Sequence, residues 1–239
     1  MRIAIISDIH GNYIALEATL KDINTNSVDQ IVCLGDVATS GPQPHQTIER
    51  LRMQKCLVVS GNMDDWLLNP TPLEGQADFY RFIEEINQWC SEQLTEEDYG
   101  YLESFQDLHE ICLFGDKKLL CYHGSPQSNT DFFNVSTPDD ELARMIGGQR
   151  ALVMAGGHTH VQMLRRYENS ILINPGSVGL PYERSQSENH KVPWAEYAIL
   201  DIKGDQLSIE FKRVPVDLTA VFEVVQKNGM PHGNWWIHH

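Results

Sequence analysis

The chain has 239 residues, and 18 Lys and Arg against 33 Asp and Glu leave a net charge of −15 with 41% hydrophobic residues. That length and apolar content suit a full hydrophobic core in one domain, and the acidic balance argues against nucleic-acid binding by a basic patch, which needs clustered Lys and Arg. No apolar run approaches the roughly 18 residues of a membrane helix, and Met1-Arg2 leads straight into a strand-like run, so a cytoplasmic protein without membrane contact is expected.

Taken in chain order, β-branched runs at 2–7, 30–34 and 55–60 predict strands, with helices between them over about 12–24, Asn12 standing at the N-cap, and about 45–54. This alternation implies parallel strands with their loops gathered at the C-terminal ends. Residues 69–104 read as an acidic, mostly helical insertion in which Thr95-Glu96-Glu97-Asp98 has the form of a helix start. Runs at 109–114 and 117–122, and at 195–202 and 206–213, are separated by turn residues and predict antiparallel hairpins. Further strands are expected at 151–156, 162–167 and 170–173, and Thr137-Pro138 and Gly147-Gly148 bracket a helix. Residues 125–136 and 181–193 read as polar loops. The fold class is α/β with α+β character: two mixed sheets flanked by helices in one domain, 1–239. The five cysteines, an odd number without CxxC spacing, are expected as free thiols.

The chemistry-bearing residues sit at the ends of these strands. Asp8 and His10 follow the first, Gly35-Asp36 the second, Gly61-Asn62 the third, His123-Gly124 the hairpin strand, and Gly157-His158-Thr159-His160 the run at 151–156. In an extended chain i and i+2 face one side, so Asp8 with His10, and His158 with His160, are each expected to converge. Any one such motif has decoys, among them Asp107-Leu108-His109, Gly115-Asp116 and His232-Gly233-Asn234; five at successive strand tips do not arise by accident. The seven groups Asp8, His10, Asp36, Asn62, His123, His158 and His160 suffice for two divalent transition metals, Mn, Fe, Ni, Co or Zn, if one carboxylate is shared, and Asp36 is the natural bridge.

Asp8-x-His10, Gly35-Asp36, Gly61-Asn62-x-Asp64, His123-Gly124 and Gly157-His158-x-His160, in that order, resemble the calcineurin-like metallophosphoesterase superfamily. Asp8-Ile9-His10-Gly11-Asn12 and Asn174-Pro175-Gly176-Ser177-Val178-Gly179 are similar to its small bacterial and archaeal phosphodiesterase branch. The resemblance implies a four-layer αββα sandwich. It also implies one metal held by Asp8, His10, Asp36 and His160 and another by Asp36, Asn62, His123 and His158. Asn62 and Asn12 are expected at the substrate, and Asp36, Asn62 and Asp64 are counted with the catalytic set, Asp64 acting by orienting its neighbours. The reaction implied is hydrolysis of a phosphate ester by a metal-bridging hydroxide, with a small phosphorylated substrate.

One departure matters. Many relatives carry His between the Asn and Asp of the third motif, where it protonates the leaving group, and here that position is Met63, whose thioether cannot transfer a proton. A phosphodiesterase is therefore the first reading, a phosphomonoesterase or protein Ser/Thr phosphatase the alternative, and a non-catalytic scaffold of the same fold the third. His45 and His190 are the remaining candidates for an acid, both expected in solvated loops. Phe132-Phe133 reads as a loop anchor or a nucleobase platform, with anchoring preferred, and Trp235-Trp236 as packing on the domain or another subunit.

Overall fold

The computed structural model describes residues 1–73, 78–184 and 189–238. β1 (Arg2–Ile6), α1 (Tyr13–Thr25), β2 (Gln30–Cys33), α2 (Pro44–Met53) and β3 (Leu57–Val58) alternate as expected, and α3 (Asn62–Leu68) follows at once. α4 (Asp78–Glu92) and α5 (Glu96–Leu102) lie within the segment expected to be helical. α5 opens with a reciprocal cap, in which the Thr95 hydroxyl accepts from Asp98 N–H at 3.2 Å and the Asp98 carboxylate accepts from Thr95 N–H at 2.8 Å.

The hairpin β4 (His109–Phe114) and β5 (Lys117–Cys121) is followed by α6 (Asp139–Ile146), which ends at Gly147 in a left-handed conformation, φ 61°. Then come β6 (Val153–Ala155), β7 (Met163–Tyr167), β8 (Ser170–Asn174), β9 (Tyr182–Arg184), β10 (Asn189–Lys191), β11 (Trp194–Lys203), β12 (Gln206–Pro215), α7 (Leu218–Lys227) and α8 (Gly233–His238). The stretch 181–193 is thus not purely loop: β9 and β10 pair antiparallel within it. The third strand is two residues long rather than six, because Lys55 just before it turns left-handed, φ 51°.

Two five-stranded mixed sheets result, ordered β12-β11-β1-β2-β3 and β4-β5-β6-β8-β7. β1, β2 and β3 run parallel in the first and β5, β6 and β8 in the second. The period-two alternation of the strands assigns the layers. Ile3, Ile5, Val32 and Leu34 pack with Leu119, Cys121, Val153 and Ala155 between the sheets. Ala4, Ile6 and Cys33 face outward onto Leu16 and Leu20 of α1 and Ile48 and Leu51 of α2. On the far side, Leu120, Tyr122 and Met154 meet Leu142 and Ile146 of α6. Three apolar layers between four structural ones make the αββα sandwich, each fully buried Ile or Leu contributing about 1.5–3 kcal/mol.

Trp236 of α8 is buried, and its indole N–H donates to Ser40 O at 2.6 Å, so this aromatic packs on the domain. His239 lies outside the described residues. All five cysteines are free, and no helix among the described residues is long and apolar enough to cross a membrane.

Candidate metal centre

Parallel strands in both sheets end at one edge, where open α/β sheets build their sites. Beyond β1, the pairing with β2 continues through Asp8 N–H to Gly35 O at 3.0 Å and His10 N–H to Asp36 O at 2.9 Å. The backbone there is no longer extended. Asp8, His10, Asp36, His158 and His160 all have φ between 47° and 66°, five of the ten non-glycine residues with positive φ among the described ones. Left-handed turns, not strand alternation, therefore aim these side chains. Asp8 and His10 converge in one group as expected, whereas His158 and His160 enter one centre but join different groups.

Those groups are Asp8, His10 and His160, and Asp36, His123 and His158, each with ligand atoms within 4.8 Å of one another. Asp36 joins them. Its Oδ2 lies 3.7 Å from His10 Nε2 and 3.4 Å from His123 Nε2, while its Oδ1 accepts from Met63 N–H at 2.8 Å. His160 Nε2 stands 3.4 Å from Asp8 Oδ1 and 3.1 Å from His10 Nε2, and Asn62 Oδ1 is 3.0 Å from His123 Nε2.

The donor set fits divalent transition metals. His123 Nδ1 donates to Leu34 O at 2.6 Å and His160 Nδ1 to Leu180 O at 3.0 Å. Both rings are thereby fixed with the Nε2 lone pair aimed at carboxylates and other nitrogens. Lone pairs facing lone pairs in a buried cluster require a cation between them. Without a metal, protons take that role. Burial pushes His123 down, but the charge of Asp36 and its hydrogen bond outweigh it and raise the imidazole to about 10. Burial and the neighbouring charge of His160 hold His10 down at about 4. Burial would raise Asp36, yet His123 and His10 keep its carboxyl below the usual range, and Asp8 is lowered against its burial by His160.

Asp64 is fully buried and does not reach the converging ligand atoms directly. Its Oδ2 accepts from the N–H of Asp36 at 2.8 Å and of Gly61 at 3.0 Å, and its Oδ1 from Val37 N–H at 2.8 Å, which makes it a positioning residue for the turns carrying Asp36 and Asn62. Burial and the charge of Asp36 raise it to about 7. Asn12, expected both at the N-cap of α1 and at the substrate, is buried; its Oδ1 caps α1 by accepting from Ala15 N–H at 3.1 Å, and its Nδ2 donates to Gly179 O at 2.9 Å.

Met63 is half-buried and packs against the core on the helical side of the first sheet. His45 lies in α2, with Nδ1 2.7 Å from Asp98 Oδ2 and Nε2 3.5 Å from Glu49, and so is engaged away from the centre. His190 lies in β10, and its side chain is outside what the structure describes. The Phe pair divides, Phe133 being buried and Phe132 exposed.

The sequence reading marked 174–179 as a motif of the resemblance without giving its residues a task. Asn174 Nδ2 donates to Gly157 O at 2.5 Å and Thr159 Oγ1 at 3.0 Å, holding the turn that carries His158 and His160. Ser177 Oγ donates to Asp8 O at 2.7 Å and accepts from Leu180 N–H at 2.8 Å. The available signal was positional: 174–179 is one more polar strand tip on the same edge.

Comparison with known proteins agrees with this geometry. Residues 1–205 match the model of the calcineurin-like phosphoesterase superfamily domain. An uncharacterized protein of Methanocaldococcus jannaschii is 30% identical over 246 residues, 96% of this chain and 93% of its own length. Among solved structures, a metallophosphoesterase from Sphaerobacter thermophilus is 28% identical with a TM-score of 0.74, over 97% of this chain and 95% of its own. A hypothetical protein from Pyrococcus horikoshii has the same fold, with a TM-score of 0.80 at 18% identity over 100% and 98% of the two chains. With its ligand groups at the strand tips and its first 205 residues matched, the chain belongs to the calcineurin-like phosphoesterase superfamily.

Proposed function

We propose that the protein is a phosphodiesterase dependent on two divalent transition metals. The observation that carries this reading is the position of Asp36 Oδ2 between His10 and His123, which joins two three-residue groups into one centre. Asp8, His10, Asp36 and His160 would hold one ion, and Asp36, Asn62, His123 and His158 the other. Such ions supply Lewis acidity, activating water and offsetting charge on the phosphoryl oxygens.

The chain's own residues do the rest. Asn62, at the first turn of α3, would offer its amide to the phosphate, and Asp64 fixes the turns on which Asp36 and Asn62 ride. The carbonyls of Leu34 and Leu180 keep the Nδ1 protons of His123 and His160, which leaves both Nε2 atoms as the nitrogens that would bind the ions. Of the described imidazoles outside the ligand set, His45 engages Asp98, His109 lies 3.0 Å from Val58 O, His232 lies 2.6 Å from Glu85 and His238 is exposed at the end of α8, while the position between Asn62 and Asp64 is Met63, whose thioether cannot give a proton. That favours esters whose leaving group departs as an anion unaided, which includes aryl diesters and disfavours alkyl monoesters.

The test is an activity panel on metal-reconstituted protein spanning bis(p-nitrophenyl) phosphate, cyclic nucleotides, dinucleoside polyphosphates and phosphoserine. The diester is expected to be turned over well and phosphoserine poorly. The opposite order would establish the phosphomonoesterase or protein phosphatase reading, and inactivity with full metal occupancy the scaffold.

A further inference from the structure

The segment between β5 and α6 is held at several points. Ser125 Oγ donates to Asp131 Oδ2 at 2.5 Å and accepts from the N–H groups of Gln127 and Ser128. Asn129 Nδ2 donates to Asp65 Oδ2 at 2.6 Å, Phe133 is buried in the core beneath α6, and Arg165 donates to the carbonyls of Asn134 and Thr137 at 3.0 and 2.6 Å. Phe132 stands apart. It is 52% exposed, contributes nothing to that core, and its ring lies edge-to-face against His158, with centroids 6.3 Å apart.

An exposed aromatic held by a fixed loop at the rim of a metal centre is a surface for a planar ligand, since Phe133 already anchors the loop. The same loop also walls a space. A cavity of about 400 Å³ beside His123 is lined by Ser125, Gln127, Ser128 and Asn129 of this loop with Asp65 and Asp107 opposite. No Lys or Arg is among its described lining residues, so it is suited to an organic substituent rather than to further phosphates.

Resting on the phosphodiesterase reading, we infer that Phe132 is a specificity-determining residue that stacks on an aromatic substituent of the diester, in the manner of a nucleobase. The substrate class is then a nucleoside phosphodiester with one phosphate in the centre and its base on Phe132. The second ester substituent occupies the cavity beside His123.

The experiment uses metal-loaded protein and two diesters that differ only in the base, adenosine 5′-(p-nitrophenyl phosphate) and ribose 5-(p-nitrophenyl phosphate), followed by release of p-nitrophenolate. Phe132→Ala should lower kcat/KM for the adenosine compound about tenfold, the scale of stacking lost per base. It should leave the ribose compound within about twofold, and Phe132→Trp should restore the adenosine rate. Adenosine monophosphate affinity measured by calorimetry should fall in parallel, with ribose 5-phosphate unchanged. The melting temperature should not move, because the ring is exposed. Equal losses on both diesters, or no loss on either, would overturn the assignment. If the wild type cleaves monoesters and neither diester, the phosphodiesterase reading fails by itself, and the binding comparison still decides Phe132. A loss confined to bis(p-nitrophenyl) phosphate would overturn the nucleoside assignment in favour of a simple aryl ester.

Discussion

The Asp64 carboxylate and the backbone of Asp36 are joined by a 2.8 Å hydrogen bond, and the same oxygen accepts from Gly61 N–H while its partner oxygen accepts from Val37 N–H. One buried side chain thus ties the tips of β2 and β3 at the distance the centre requires. An Asp64→Asn substitution places an N–H₂ against at least one of these N–H donors, and a buried donor left unpaired costs about 1–3 kcal/mol. We expect a lower melting temperature and a fall of about 10- to 100-fold in metal affinity, typical of lost support behind a ligand. Thermal melts with and without Mn read both, and unaltered metal affinity would remove Asp64 from its positioning role.

Asp36→Asn keeps an Oδ1 that accepts from Met63 N–H but replaces the charged oxygen between His10 and His123 with an amide nitrogen, which cannot ligate a metal. The metal-free fold should survive, because no strand depends on that oxygen. Stoichiometry by elemental analysis should drop from two ions per chain to one or none, and diester hydrolysis should be nearly abolished. Two retained ions with full turnover would refute the bridge.

Gly61→Ala separates space from backbone preference. The φ at Gly61 is −86°, which any residue adopts, yet an added Cβ would lie 2.1 Å from Asp36 Oδ1 and 2.4 Å from Asp36 N. Asp36 must move. Metal binding and activity should therefore fall far more than the melting temperature; a variant with wild-type metal affinity would mean that the Asp36 turn shifts freely.

Metal binding should release protons. Metal ligation needs neutral imidazole, whereas in the metal-free protein His123 is raised from 6.5 to about 10 by Asp36 acting against burial, and His160 is raised by Asp8 in the same way. At pH 7 a cation must displace the His123 proton, so affinity should rise as pH increases toward about 10. The metal-free fold behaves oppositely: the stability that His123 contributes is complete below 6.5 and is lost as pH rises through about 10. Calorimetry at pH 7 in two buffers of different ionisation enthalpy should give a net release of at least one proton per chain, and a value of zero would contradict the assigned protonation.

The order of strands and the strand-tip motifs were legible because buried parallel strands read as apolar runs that end abruptly in polar residues. The aiming mechanism was not, since left-handed turns at Asp8, His10, Asp36, His158 and His160 leave no mark in residue types that extended chains also use. The helix-cap signal of Asn12 was legible, and its Oδ1 accepts from Ala15 N–H. Asn174 and Ser177 were invisible as supports because their partners are backbone atoms more than a dozen residues away in sequence. The short strands β9 and β10 escaped notice because they pair only with each other and their residues, Tyr182-Glu183-Arg184 and Asn189-His190-Lys191, form no apolar run.

The left-handed backbone at five ligands has a consequence for when the centre takes shape. Each such residue holds an unfavourable conformation of about 1 kcal/mol, sustained by the sheets and loops around it. That cost is met as the chain folds, not when an ion arrives. The centre is therefore preorganised: a cation encounters ligands already in place, and its affinity is not diminished by having to order them. The same arrangement narrows what evolution can place there, because a substitute must both coordinate and tolerate a left-handed turn, a pair of demands that Asp, Asn and His meet and β-branched residues do not.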